Sequence, residues 1–168
     1  MTQNIEQLDR LDSLSAIREH FALPDNTIYL DGNSLGALPK ASAERVHDVV
    51  NRQWGDDLIS AWNKHSWIDL PLTVGDKIAP LLGAASGQVV VTDSISVHLF
   101  KLLITALNMQ PRRHTVVSEQ DNFPTDLYMV QGIEALLGEN RCKLNAVPTE
   151  ALVDALTEDV AVLMLTHI

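Results

Sequence analysis

From Gly87 onward the chain alternates short apolar β-branched runs with longer apolar stretches of helical length, and this alternation most constrains what it can become. Val89-Val-Val91, Thr115-Val-Val-Ser118, Leu144 to Val147 and Val160 to Leu165 read as strands. Val97 to Leu107, Thr125 to Leu137 (closed by Gly138) and a segment from Thr149 to Leu156, with Thr149 as its cap, read as the helices between them. Strands that are apolar throughout, separated by single helices, predict an α/β fold with a mainly parallel sheet sandwiched by helices. The last of these runs ends three residues before Ile168. A strand patterned for burial on both faces, so near the final residue, predicts that the chain is the truncated front part of a larger domain.

The first half is organised differently. Leu8, Leu11, Leu14 and Ile17 recur at helical spacing and predict an N-terminal helical arm. Thr27 to Leu30 reads as a short extended run, followed by Asp31-Gly-Asn-Ser-Leu-Gly36, where Gly32 and Gly36 predict a shaped loop with positive φ or close backbone approach. Helices are expected over Ala41 to Trp54 and Pro71 to Leu82, with Trp54, Trp62 and Trp67 in a Trp-rich region and Gly55-Asp-Asp57 as a solvated turn. The domain reading is residues 1–70 as arm and substrate-side segment, and 71–168 as the first part of an incomplete α/β domain.

In open parallel sheets ligands bind beyond the carboxyl ends of the strands, so the loops there carry the functional reading. After Val91 comes Thr92-Asp-Ser-Ile-Ser96, whose hydroxyls and free amides at a helix start suit a phosphate, although taken alone the loop favours a plain N-cap by Ser94 or Ser96. After Ser118 comes Glu119-Gln-Asp-Asn-Phe-Pro-Thr-Asp126. Pro124 and Asp126 fit the first turn of a helix, and Phe123 is left either to stack on a planar ring or to tuck against a neighbouring helix. Thr166-His167 follows the last strand and offers a hydroxyl to a ligand, although on its own it favours the reading of an ordinary strand-end Thr. Hydroxyls, an aromatic and a carboxylate at one rim fit a phosphate-bearing aromatic cofactor. Pyridoxal 5'-phosphate (PLP) fits better than a dinucleotide, because no G-x-G-x-x-G follows the first strand.

Composition narrows the class. A formal net charge of −10 argues against nucleic acid, and no apolar stretch is long enough to span a bilayer. A single cysteine, Cys142, and a polar acidic start lacking a secretory pattern fit a cytoplasmic protein. Six histidines without ligand spacing, and one cysteine, predict no metal site.

Several motifs together resemble one family. They are Ile28-Tyr-Leu-Asp-Gly-Asn-Ser-Leu-Gly36, Trp54-Gly, Ser60-Ala-Trp-Asn63, Val91-Thr-Asp-Ser-Ile-Ser-Val-His-Leu-Phe-Lys101, Asp121-Asn-Phe-Pro-Thr-Asp-Leu-Tyr128 and Met164-Leu-Thr-His167. From about Leu14 to the last residue the chain resembles kynureninase, a fold type I PLP enzyme of aspartate-aminotransferase-like architecture (aminotransferase class V-like). The resemblance implies hydrolysis of L-kynurenine, or 3-hydroxykynurenine, to anthranilate (or 3-hydroxyanthranilate) and L-alanine, in tryptophan catabolism and NAD biosynthesis. It implies that Ile95 and Ser96 contact the cofactor phosphate, that Phe123 stacks on the pyridine with Pro124, Thr125 and Asp126 lining the cofactor, and that Thr166 lies near the ring. Gly32, Asn33, Ser34 and Trp62 match positions near the substrate, and the complete protein is expected to be a homodimer.

The sequence also departs from the family. His98 stands where the family usually has Asn, and Ile95 where bacterial members often have Thr. The family's Schiff-base lysine and the aspartate beside the pyridinium have no counterpart here: none of Lys40, Lys64, Lys77, Lys101 or Lys143 lies in a comparable motif, and Lys101 reads as a snorkelling side chain. The chain alone is therefore expected to be inactive, with no catalytic residue of its own. The alternatives are another PLP lyase of this fold, cysteine desulfurase-like, or a non-catalytic remnant.

Overall fold

In a computed structural model, residues 5–166 are described, and the chain divides into two compact units, Met1–Val91 and Thr92–Ile168. His167, one of the rim residues singled out above, lies outside the described residues.

The first unit is mostly helical. It contains α1 (Ile5–Leu11), a two-residue antiparallel ribbon of β1 (Phe21–Ala22) and β2 (Leu38–Pro39), then α2 (Lys40–Asp48), α3 (Gly55–Asp57), α4 (Ala61–Lys64) and α5 (Leu70–Ile78). A π-helical stretch, Val49–Trp54, joins α2 to α3, and a 3-10 turn, Ala79–Leu82, extends α5, so the helices expected over 41–54 and 71–82 are present. The arm is helical at Ile5–Leu11 and 3-10 at Ser15–His20, but its stripe of Leu8, Leu11, Leu14 and Ile17 is exposed to solvent.

Three local expectations about this unit are corrected. Val89–Val91 forms no strand: Val91 N–H donates to Pro71 O at 3.0 Å, and the backbone of Val89 lies hard against Gly75 of α5. An apolar β-branched run cannot distinguish pairing with a strand from packing on a helix, and here the missing Cβ of Gly75 admits the second. Neither Gly32 nor Gly36 has a positive φ, and a Cβ on either would meet nothing within 4 Å, so glycine is not demanded by the loop's own backbone. Asp57 does not sit in a solvated turn; its carboxylate binds Lys64 Nζ at 2.5 Å and His65 Nε2 at 2.7 Å. Those contacts, Lys64 first, hold the Asp57 carboxyl below the usual carboxylate range.

The second unit is α/β. Its order is α6 (Ile95–Met109), β3 (Thr115–Glu119), α7 (Pro124–Leu137), β4 (Lys143–Val147) and β5 (Val160–Met164). The three strands form a parallel sheet in the order β4-β3-β5, with Val116 opposite Leu144 and Val162 and an irregularity between Thr115 and Val116 on the β5 side. Val116 and Met164 on one sheet face pack with Leu103 and Leu107 of α6, Val130 and Ile133 of α7, and Cys142, forming the hydrophobic core. Ser94 caps α6, accepting from Val97 N–H at 3.5 Å, and Pro124 opens α7, where a missing N–H costs nothing.

The opposite face is covered by less. Thr149 starts only a 3-10 turn, Thr149–Ala151, in place of the expected helix through Leu156. Its hydroxyl donates to Glu119 Oε1 at 3.2 Å and caps nothing. The final strand, expected to be buried on both faces, leaves Leu163 at 43% exposure.

Candidate functional site

The carboxyl ends of β3 and β5 meet at one buried amide. Asn122, 5% exposed, sits just past β3 in the turn before α7. Its Nδ2 donates to Ser118 Oγ at 2.8 Å, at the end of β3. Its Oδ1 accepts from Phe123 N–H at 2.6 Å, at the start of α7, and from Thr166 Oγ1 at 2.5 Å, just past β5. Two of the expected cofactor residues, Phe123 and Thr166, are thereby fixed to one atom. Phe123 is 63% exposed, whereas Thr166 is half-buried. Pro124, Thr125 and Asp126 form the first turn of α7; the acidic group there is favoured by the helix dipole.

Asn122 itself was not among the expected site residues. A polar residue before Phe-Pro reads as turn chemistry, and its partners lie 4 and 44 residues away. The available signal was the motif itself: an Asx two residues before a helix that begins on Pro has a side-chain acceptor next to backbone amides that need one.

The loop before α6 is built by different contacts. His98 Nε2 lies 2.9 Å from Thr92 O, and since a carbonyl only accepts, this nitrogen carries the proton. Lys101, with its side chain 59% exposed, reaches out from α6 to form an ion pair with Asp93, which ties it to the loop. Asp93 has a φ of +33°, uncommon for a residue with a Cβ, and these two tethers from one face of α6 hold the turn. The Lys101 contact also keeps the Asp93 carboxyl below its usual range. Among the described residues, the amides of Ile95 and Ser96 and the Ser96 hydroxyl have no protein acceptor, while the Ile95 side chain stands 72% exposed. Free donors at a helix start, a hydroxyl and an exposed ring in the same unit fit a phosphorylated aromatic group.

The expected substrate-side residues all lie in the first unit. Gly32, Asn33 and Ser34 occupy a turn in which the amides of Ser34 and Leu35 both donate to Asp31 O at 3.2 Å, and Tyr29 Oη is 2.5 Å from Leu35 O. Trp62 on α4, 48% exposed, meets Trp67 edge to face with ring centres 6.3 Å apart. With Trp54, Leu58 and Ile59 these rings line an apolar cavity of about 250 Å³. Trp67 Nε1 donates to Gln53 Oε1 at 2.8 Å, and Gln53, 1% exposed, donates on to Asp48 at 2.8 Å. Asp48 also binds Arg52 and is held down to about 2, chiefly by that hydrogen bond.

Compared with curated proteins, the chain is 50% identical over 166 residues to the kynureninase of Burkholderia pseudomallei (strain 1106a). The chain is similar to the kynureninases. It is 49% identical over 166 residues to the Burkholderia mallei (strain SAVP1) kynureninase and 46% over 165 residues to that of Pseudomonas fluorescens. Each match covers 96% of this chain, which spans about 40% of the length of these kynureninases. No protein-family model matches the chain. No helix among the described residues is long and apolar enough to cross a membrane, and no three His, Cys, Asp or Glu side chains among them are grouped as metal ligands.

Proposed function

We propose that this chain is part of a kynureninase and supplies the phosphate and ring side of its PLP site, together with part of the substrate side. The observation that carries the reading is the identity of about half over 96% of the chain. The rim geometry supports it independently: free amides at the start of α6, and Phe123 and Thr166 held by one buried side chain.

In this reading Ile95 and Ser96 bind the phosphate through their amides and the Ser96 hydroxyl. Phe123 lies on the pyridine face, Thr166 reaches the ring edge, and Pro124, Thr125 and Asp126 line the pocket. Bound PLP supplies an electron sink for cleaving the bond beside the aryl ketone of L-kynurenine or its 3-hydroxy form, releasing anthranilate or 3-hydroxyanthranilate and L-alanine. Gly32, Asn33 and Ser34 orient the substrate, and Trp62 offers an aromatic edge to its ring. Residues 1–70 then serve the substrate side and 71–168 open the cofactor-binding domain, a division by role that cuts across the two compact units. The complete enzyme works in the cytoplasm as a homodimer, in tryptophan breakdown towards NAD. None of the five lysines of this chain takes the covalent role, so the 168 residues alone do not turn over substrate.

The test is anthranilate release. The chain is assayed alone and within a protein of kynureninase length, each with PLP and L-kynurenine. Expected is product only from the longer protein. A longer protein that binds PLP but forms no anthranilate would sink the activity, and preference for cysteine would reassign it to a desulfurase-like lyase. Turnover by the 168-residue chain alone would refute the lysine argument.

A further inference from the structure

The hydrogen bonds around Asn122 determine where one proton points. Phe123 N–H can only donate, so the amide atom that receives it at 2.6 Å must be Oδ1, and the other amide atom, Nδ2, must face Ser118 Oγ. Thr166 Oγ1 lies 2.5 Å from that same Oδ1, which has no proton to give, so the Thr166 hydroxyl is the donor. A hydroxyl has one proton and two lone pairs. Its proton is committed inward, to an atom that is 5% exposed at the residue level. What Thr166 has left for a ligand is acceptor capacity alone.

We propose that Asn122 is a positioning residue that fixes the Thr166 hydroxyl as a hydrogen-bond acceptor, so that the rim selects a ring presenting an N–H or O–H donor at its edge. The inference rests on the PLP reading above and deepens it, assigning a polarity to one contact of that site. Ser118, fully buried at the end of β3, completes the clamp from the other side. Because Asn122 also holds Phe123 N–H, the same side chain sets the start of α7 relative to the ends of β3 and β5.

The test has two arms. In the 168-residue chain, urea midpoints are compared for Asn122→Leu, Thr166→Val and the double variant. Loss of a buried hydrogen-bonded group lowers each single midpoint, and the two losses are expected to be markedly less than additive, because both remove the same bond. In the longer protein, PLP affinity is measured by equilibrium dialysis for the same variants and for Asn122→Asp. Asp keeps two acceptor oxygens for Phe123 N–H and the Thr166 hydroxyl, and Ser118 can turn its own proton towards it.

Asn122→Leu and Thr166→Val are each expected to weaken PLP by about tenfold, the double variant no further, and Asn122→Asp to stay within about threefold. A purely structural Asn122 would lower the midpoint and leave PLP affinity unchanged, and that result overturns the proposal. Fully additive midpoints would overturn it as well. If coupling between residues 122 and 166 is present but no protein binds PLP, the PLP reading fails, and with it the role toward the ring. Should Asn122→Leu not fold, Thr166→Val decides: unchanged PLP affinity in that variant refutes the acceptor role.

Discussion

Gly75→Ala should destabilise the first unit although alanine is the better helix former. Gly75 lies in α5, and a Cβ there would sit 2.0 Å from Val89 O, 2.7 Å from Val89 C and 3.2 Å from Val90 N. Carbon contacts reach their optimum at about 3.5–4.0 Å, so the Val89–Val90 backbone must withdraw by more than about 1 Å. No rotamer change relieves the clash, because every atom met is backbone. Withdrawal also pulls on the Val91 N–H to Pro71 O bond of 3.0 Å, the anchor of that segment on α5. Overpacking of this kind costs about 1–3 kcal/mol, and a weakened hydrogen bond about 1 kcal/mol more. Exchanging Gly for Ala in a helix returns about 1 kcal/mol. The net expectation is a loss of about 1–3 kcal/mol, or about 1 M in urea midpoint for a slope near 1–3 kcal/mol/M. All three tryptophans, Trp54, Trp62 and Trp67, lie in this unit, so their fluorescence reports its unfolding directly. Gly132→Ala is the matched control: Gly132 is in α7, exposed, and a Cβ there meets nothing within 4 Å. By circular dichroism it should gain about 0.5–1 kcal/mol. A Gly75→Ala midpoint equal to or above that of the parent chain would refute the packing of residues 89–91 on α5.

Further outcomes follow from single contacts. Lys101→Met should bring the Asp93 carboxyl back up to its ordinary range, read by NMR titration. The lowered value in the folded chain contributes stability above the unfolded pKa that disappears as pH falls through the folded one, so the two proteins should differ near neutrality and converge in acid; an unmoved Asp93 titration would contradict the ion pair. Cys142 is fully buried, and burial first, then the nearby Glu134 charge, pushes its thiol up, so a thiol reagent should react slowly with the native chain and rapidly in urea. Equal rates would place Cys142 outside the core. Ile133→Ala empties a site 1% exposed between α7 and the sheet and should cost about 2–5 kcal/mol in urea unfolding, where a loss under about 1 kcal/mol would be inconsistent with that burial.

What could be read from the sequence was local, and what could not was tertiary. α6, β3, α7, β4 and β5 all lie within two residues of the expected segments, because each is written in its own apolar periodicity. Val89–Val91 carries the same pattern as β3 and takes a different role, since its partner is decided by a glycine 14 positions earlier. Thr149 is a sound cap residue by type, but its hydroxyl is drawn to Glu119, 30 residues away, and the helix shrinks to one turn. The rim shows the same split. Phe123 and Thr166 stand out because parallel sheets place function beyond the strand ends, a topological rule that needs no contacts. Asn122 becomes visible only when the ends of β3 and β5 are adjacent, for then one amide can satisfy Ser118, Phe123 and Thr166 together. Its burial follows from that fit: a side-chain amide with three partners can leave water at small cost, whereas the exposed Phe123 ring beside it keeps its surface available to a ligand. The frame of the rim is thus held by a buried, hydrogen-bonded amide, and the groups offered to a cofactor are those the frame leaves unused.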